Sequence, residues 1–190
     1  MKTLITILFI AFSLQCFAIE KDSIRTGDIW CSRGTSALGV VSRAYSGVFE
    51  LPWLGKLPFT AKTYSHCGTF IWLEGELYIT ETSSTLAGIR AIRYEDWKYR
   101  DSDRITILRY ENINHDKVVL SFLELEGAAY YWGNYSAHAL YIPTRLWLGR
   151  KWNRTRWNCS AYVAYCLDLE RWWKETPTSL ACKKGMEVVK

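Results

Sequence analysis

Histidine is scarce, with 3 in 190 residues. No Cys-x-x-Cys pair occurs either. The donor spacings of a zinc centre are therefore missing, and neither a metal nor another cofactor is expected. No internal repeat and no low-complexity linker interrupts the chain, so it reads as one domain, expected to be a monomer, with length enough to bury a core. No recognised nucleic-acid-binding motif is present, and nucleic acid is excluded as a partner. The apolar run near the N-terminus, Leu4 to Phe12, is too short to span a bilayer comfortably.

That run belongs to a segment with the pattern of a signal peptide. Lys2 is the charged start, Leu4 to Phe12 the apolar middle, and Cys16-Phe17-Ala18 the small-residue cleavage site. Residues 1–18 are expected to be removed after Ala18, leaving 19–190 as an exported domain in an oxidising compartment, the periplasm or the medium. Lipidation at Cys16 is disfavoured by the bulk of Gln15. Removal of Cys16 leaves Cys31, Cys67, Cys159, Cys166 and Cys182, an odd number. Two disulfides and one free thiol would fit a secreted cysteine enzyme, with Cys166–Cys182 and Cys31–Cys67 as the expected pairs. The composition is that of a folded chain: 49% hydrophobic, with ten Trp and twelve Tyr. The formal charge of +5 is a modest excess that suits anionic partners without selecting one.

The patterning predicts a small sheet with a few helices, an α+β fold. "TGDIWC" reads as a short strand. Residues 32–63, rich in Gly, Ser and Pro, read as a long loop with broken helical pieces. "SHCGTFIW" and "ELYITET" read as two strands joined by a two-residue turn at Glu74-Gly75. "AIRY" and "RITILRY" read as further strands around a short helical "EDWKYR". A helix capped by Asp116 is expected to run to about Ala129. Residues 131–157 form a loop dense in Trp, Tyr and Arg. Asn158 is a good N-cap for a helix with Cys159, Tyr162, Val163, Cys166, Leu169 and Trp173 on one face, followed by a short tail holding Cys182.

Two features point to chemistry. Cys159 falls in the first turn of its predicted helix, where the helix dipole favours a thiolate and free backbone N–H groups can hold an oxyanion. Against this, cysteine is often simply buried, and Cys159 also opens a core stripe. The hairpin supplies an independent indication. With Glu74 and Gly75 as the turn, Gly68 lies opposite Glu81, and His66 shares their face by the strand period of two. Glu81 could then reach across Gly68 to the His66 imidazole, as an orienting carboxylate does. Asp28 reads as a residue that closes a turn, His115 as exposed, and His138 as a packed or surface histidine.

"GDIW" at Gly27, "SHCG" at Ser65, "YITE" ending at Glu81, "GNY" at Gly133 and "WNCSAYV" around Cys159 resemble the permuted papain-like enzymes of the YiiX/YaeF group. These are circularly permuted relatives of NlpC-type cell-wall peptidases and are similar to lecithin retinol acyltransferase. The resemblance implies a papain-like small antiparallel sheet packed with helices, and a catalytic set of His66, Glu81 and Cys159 in that chain order. It covers about residues 26–168. The sequence departs from the pattern at Ser136, where an acidic residue is usual, and at Cys67, where an apolar residue is usual. Tyr135, Arg156 and Trp157 are the expected substrate contacts. Arg145, Arg150, Lys151, Arg154 and Arg156, interleaved with Trp147, Trp152 and Trp157, suggest either a solvated basic loop or a platform for an anionic substrate. The expected function is a secreted cysteine amidohydrolase acting on peptidoglycan stem peptides. The alternatives are a thiol acyltransferase or lipase at an anionic lipid surface, and a catalytically silent envelope-binding module.

Overall fold

The computed structural model describes residues 20–54, 63–83, 88–131, 133, 136 and 156–189. Its centre is the hairpin of β2 (His66–Leu73) and β3 (Glu76–Ser83). Glu74 and Gly75 both take positive φ, 52° and 81°, the conformation a two-residue hairpin turn requires. The turn fixes the register, with Leu73 opposite Glu76 and Thr69 opposite Thr80. Around this hairpin β1 (Ile29–Ser32), β4 (Gly88–Arg93), β5 (Ile105–Tyr110) and a C-terminal β8 (Met186–Val188) complete a six-stranded antiparallel sheet in the order β4-β3-β2-β1-β5-β8. Two short strands, β6 (Ala129–Tyr130) and β7 (Arg156–Trp157), pair in parallel beside it. The architecture is α+β.

Both faces of the sheet are covered, so its strands carry apolar residues on both sides. One face holds Ile29, Cys31, Cys67, Ile71 and Leu108. It packs against Val118 and Phe122 of α2 (His115–Leu125), against α3 (Cys159–Cys166), and against Leu180 of α4 (Pro177–Ala181). The other face carries Trp30, Phe70, Leu77, Ile79 and Ile107, closed by Tyr94 and Trp97 from a single 3-10 turn and its cap. Among the described residues no helix is long and apolar enough to cross a membrane.

Several elements differ from the sequence expectations. Ala37–Leu54 is a helix, α1, and not a loop. Its buried positions include Ser42 and Ser46, one turn apart, while Leu38 and Val41 are exposed. The apolar periodicity that betrays a helix is thus inverted. The second helix is capped by Asn114, whose side chain accepts from the Lys117 N–H at 3.0 Å, and not by Asp116. It ends at Leu125, before Gly127 at φ 78°. Helix α3 is buried all round, with Ser160, Ala161 and Ala164 as enclosed as Tyr162 and Val163, so it has no single apolar face. The tail is ordered by a capping box between Thr176 and Ser179 and by the pairing of the last strand with β5.

The five described cysteines are free thiols, so neither Cys31–Cys67 nor Cys166–Cys182 is bonded. Cys31 and Cys67 face each other across β1 and β2. Cys166 lies near Tyr162 and Lys117, whereas Cys182 lies near Tyr64. Asp28 is structural: it is buried, accepts from the Arg25 N–H at 2.8 Å, and holds Arg109 in a two-pronged pair at 2.8 and 2.7 Å. Residues 1–18, His138 and the 145–155 part of the basic loop lie outside the described residues.

Candidate active site

The first residue of β2, the middle of β3 and the first residue of α3 converge. Asn158 caps α3, its side chain accepting from the Ala161 N–H at 2.9 Å. This fixes Cys159 in the first turn, 4% exposed, with the helix laid across β2 and β3. His66 and Glu81 lie on one sheet face, as the hairpin register requires, and His66 Nε2 is 2.9 Å from Glu81 Oε2. The second carboxylate oxygen accepts from Arg90 Nη2 at 3.0 Å, across the directly paired β4 position. Cys159 acts on the same ring electrostatically.

Gly68, between His66 and Phe70 on β2, has no room for a side chain. A Cβ there would lie 2.3 Å from the Thr80 carbonyl oxygen and 2.6 Å from Trp30 Nε1. Trp30, paired with Gly68 across β1, occupies the space a side chain would take. Its ring meets the His66 ring edge-on at 5.2 Å, a contact that limits how the imidazole can turn.

The electrostatics favour a charged pair. Burial alone would lower the His66 pKa, but the Cys159 anion and the Glu81 carboxylate outweigh it and raise the imidazole to about 10. Cys159 is lowered well below the ordinary thiol value. The largest cause is a hydrogen bond from Cys67, opposed by burial and reinforced by His66. Burial pushes Cys67 up, so it keeps its proton and can donate it. Burial likewise pushes Cys166 up to about 12. Glu81 is held below the usual carboxylate range because His66 and Arg90 overcome its burial. These directions favour transfer of the Cys159 proton to His66, with the Glu81 carboxylate beyond the ring and the Cys159 backbone N–H at a helix start where an oxyanion could bind.

The expected substrate contacts fare differently. Trp157 belongs to the core: it is buried and stacked on Trp172 at 4.8 Å, with Tyr165 at 5.0 Å. Its neighbours are apolar and aromatic, so it supports α3 from behind and forms no substrate platform. Arg156 is exposed on β7, and Tyr135 lies outside the described residues. Sequence reasoning missed Arg90, Trp30 and the donor role of Cys67. The pairing of β3 with β4 could have indicated Arg90, since residue 81 needs a partner on its outer side. A cleft of about 890 Å³ opens beside His66 and Glu81, lined also by Arg33, Arg104, Trp97 and Tyr130. Among the described residues no group of three or more His, Cys, Asp or Glu is arranged to hold a metal ion.

No protein-family model matches the chain, and no curated protein matches it in sequence. Among solved structures it is similar to one described as metalloprotein yiiX from Escherichia coli O157:H7. The two share 16% identity with a TM-score of 0.48, over 76% of this chain and 64% of that one. The chain thus spans somewhat less than two thirds of the length of that neighbour.

Proposed function

We propose that the protein is an exported cysteine amidohydrolase of permuted papain-like design, cleaving amide bonds in bacterial cell-wall peptides. One observation carries this: His66, held by Glu81 at 2.9 Å, interacts electrostatically with Cys159 at the start of a helix. The chain order of His strand before cysteine helix supports the permuted arrangement. His66 takes the Cys159 proton, and the thiolate attacks the amide carbonyl carbon. The oxygen of the tetrahedral intermediate is held by the Cys159 backbone N–H. The C–N bond breaks as the imidazolium gives its proton to the departing amine, leaving an acyl thioester on Cys159. His66 then takes a proton from water, which attacks the thioester and releases the acid and the thiol. Glu81 orients the ring and stabilises its charge without transferring a proton, and Arg90 positions Glu81.

The test is mass spectrometry of the purified protein incubated with muropeptides and, separately, with phospholipids. Muropeptide fragments with a newly freed amine, absent with Cys159→Ala, are the expected result. Acyl transfer or release from phospholipid alone would replace the amidase with a lipid-directed thiol enzyme.

A further inference from the structure

Arg33 and Arg104 stand opposite each other where β1 and β5 run into their loops. The register pairs Ser32 with Ile105, and one step outward the Arg33 N–H donates to the Arg104 carbonyl at 3.1 Å. Like charges directly opposite on neighbouring strands repel. Among the described residues neither guanidinium has a carboxylate partner. Arg33 Nη2 reaches only the Asp103 carbonyl, at 3.2 Å, and Arg104 Nη1 only the Thr35 hydroxyl, at 2.9 Å. Arg33 Nε is buried with no acceptor among the described residues, which is unfavourable for a charged donor. Both side chains line the cleft beside His66. That cleft also carries Arg90 and Lys98 against only Glu81 and Asp96, and Glu81 is already engaged by His66 and Arg90. Ser32 is the cross-strand partner of His66, so the arginine pair begins one residue and one to two strand spacings away, roughly 5–10 Å.

We propose that Arg33 and Arg104 form an anion subsite of this cleft that takes a carboxylate or phosphate group of the substrate while the scissile carbonyl lies at Cys159. The subsite rests on reading the cleft as the substrate site of the thiol enzyme. An oxyanion between the two guanidiniums removes their repulsion and matches the planar fork of arginine. The concavity and volume of the cleft suit a group on a peptide-sized ligand, not a flat membrane surface. The subsite would select substrates with an anionic group a few residues from the cleaved amide.

The experiment uses purified protein carrying Cys159→Ala, so that binding is read without turnover. Thermal melting is followed with inorganic phosphate and, separately, acetate, at constant ionic strength. A saturable rise in melting temperature with either anion is expected, and the stronger response identifies the preferred oxyanion. Arg33→Gln and Arg104→Gln should weaken the apparent affinity by about tenfold or more. Arg104 is exposed, so its substitution spares the core. Without added anion both variants should melt at or above the parent, because a repulsive pair has been relieved. Arg171→Gln, an exposed charge control, should respond like the parent. Equal responses in all variants, or none in the parent, would overturn the subsite. So would Arg33-dependent sedimentation with phosphatidylglycerol vesicles without any response to free anion. With active protein, an unchanged KM for an anionic peptide in both variants would overturn the subsite while the thiol chemistry stands. Conversely, Arg33-dependent anion binding supports it even where Cys159 proves unreactive.

Discussion

Replacing Glu81 by Gln keeps the shape of the side chain and one hydrogen bond to His66 but removes a charge in direct contact. The carboxylate sits 2.9 Å from His66 and 3.0 Å from Arg90, with 11% of its side chain exposed, so solvent screens it weakly. An opposite charge this close moves a neighbour's pKa by about 1–3 units, equivalent to roughly 1.4–4 kcal/mol. His66, held at about 10, should therefore fall by about 1–3 units. The thiolate–imidazolium pair exists between the lowered Cys159 pKa and the raised His66 pKa. Above the latter the imidazolium is lost, and with it the acid that protonates the leaving amine. The alkaline limb of kcat/KM should move down from near 10, and the plateau should fall by about 10- to 1,000-fold. The stability signs follow. A raised His66 contributes fully below its unfolded value of 6.5 and loses that contribution as pH rises through about 10. A lowered Cys159 contributes above the ordinary thiol value and loses its contribution as pH falls through its folded pKa. With only 3 histidines, the His66 ring can be titrated by NMR alongside the pH–rate profile. A His66 titration that stays near 10 in Glu81→Gln, with turnover undiminished, would refute the orienting role.

Gly68→Ala should cost about 1–3 kcal/mol in urea unfolding, because the new methyl meets backbone at Thr80 and the Trp30 ring. A change under about 0.5 kcal/mol would show that this strand can shift. Asp28→Ala should cost about 3–5 kcal/mol by stranding Arg109, while the Cys159 alkylation rate in the folded protein stays as in the parent. A lost thiol reactivity in folded Asp28→Ala would instead tie Asp28 to the site. Cys67→Ala removes the strongest stabiliser of the thiolate, so the acid limb of Cys159 alkylation should move to higher pH. An unmoved limb would show that His66 alone sets it.

The parts of the site visible in the sequence were those governed by local rules. The Glu74-Gly75 turn sets the hairpin register, and a strand period of two then puts His66 and Glu81 on one face. Asn158 caps its helix through a short side chain acting within three residues. What stayed hidden depends on contacts between distant segments. Arg90 reaches Glu81 only because β4 pairs with β3, and Arg33 meets Arg104 only because β1 pairs with β5. The helix Ala37–Leu54 was illegible because it buries serines and exposes Leu38 and Val41. Trp157 misled for a related reason: an arginine-flanked tryptophan looks like a surface platform, yet short pairing with β6 turns its ring into the core.

The central claim is that Cys159 is a thiolate nucleophile prepared by His66. It is tested most directly by alkylating the folded protein with limiting iodoacetamide across a pH series and mapping the labelled cysteines by mass spectrometry. Cys159 should label fastest, with a rate already on its plateau at neutral pH and an apparent pKa below the ordinary value of about 8.5. Cys67 and Cys166 should stay nearly unlabelled. Faster labelling of either of those two, or a Cys159 rate that climbs only above about pH 8.5, would contradict it.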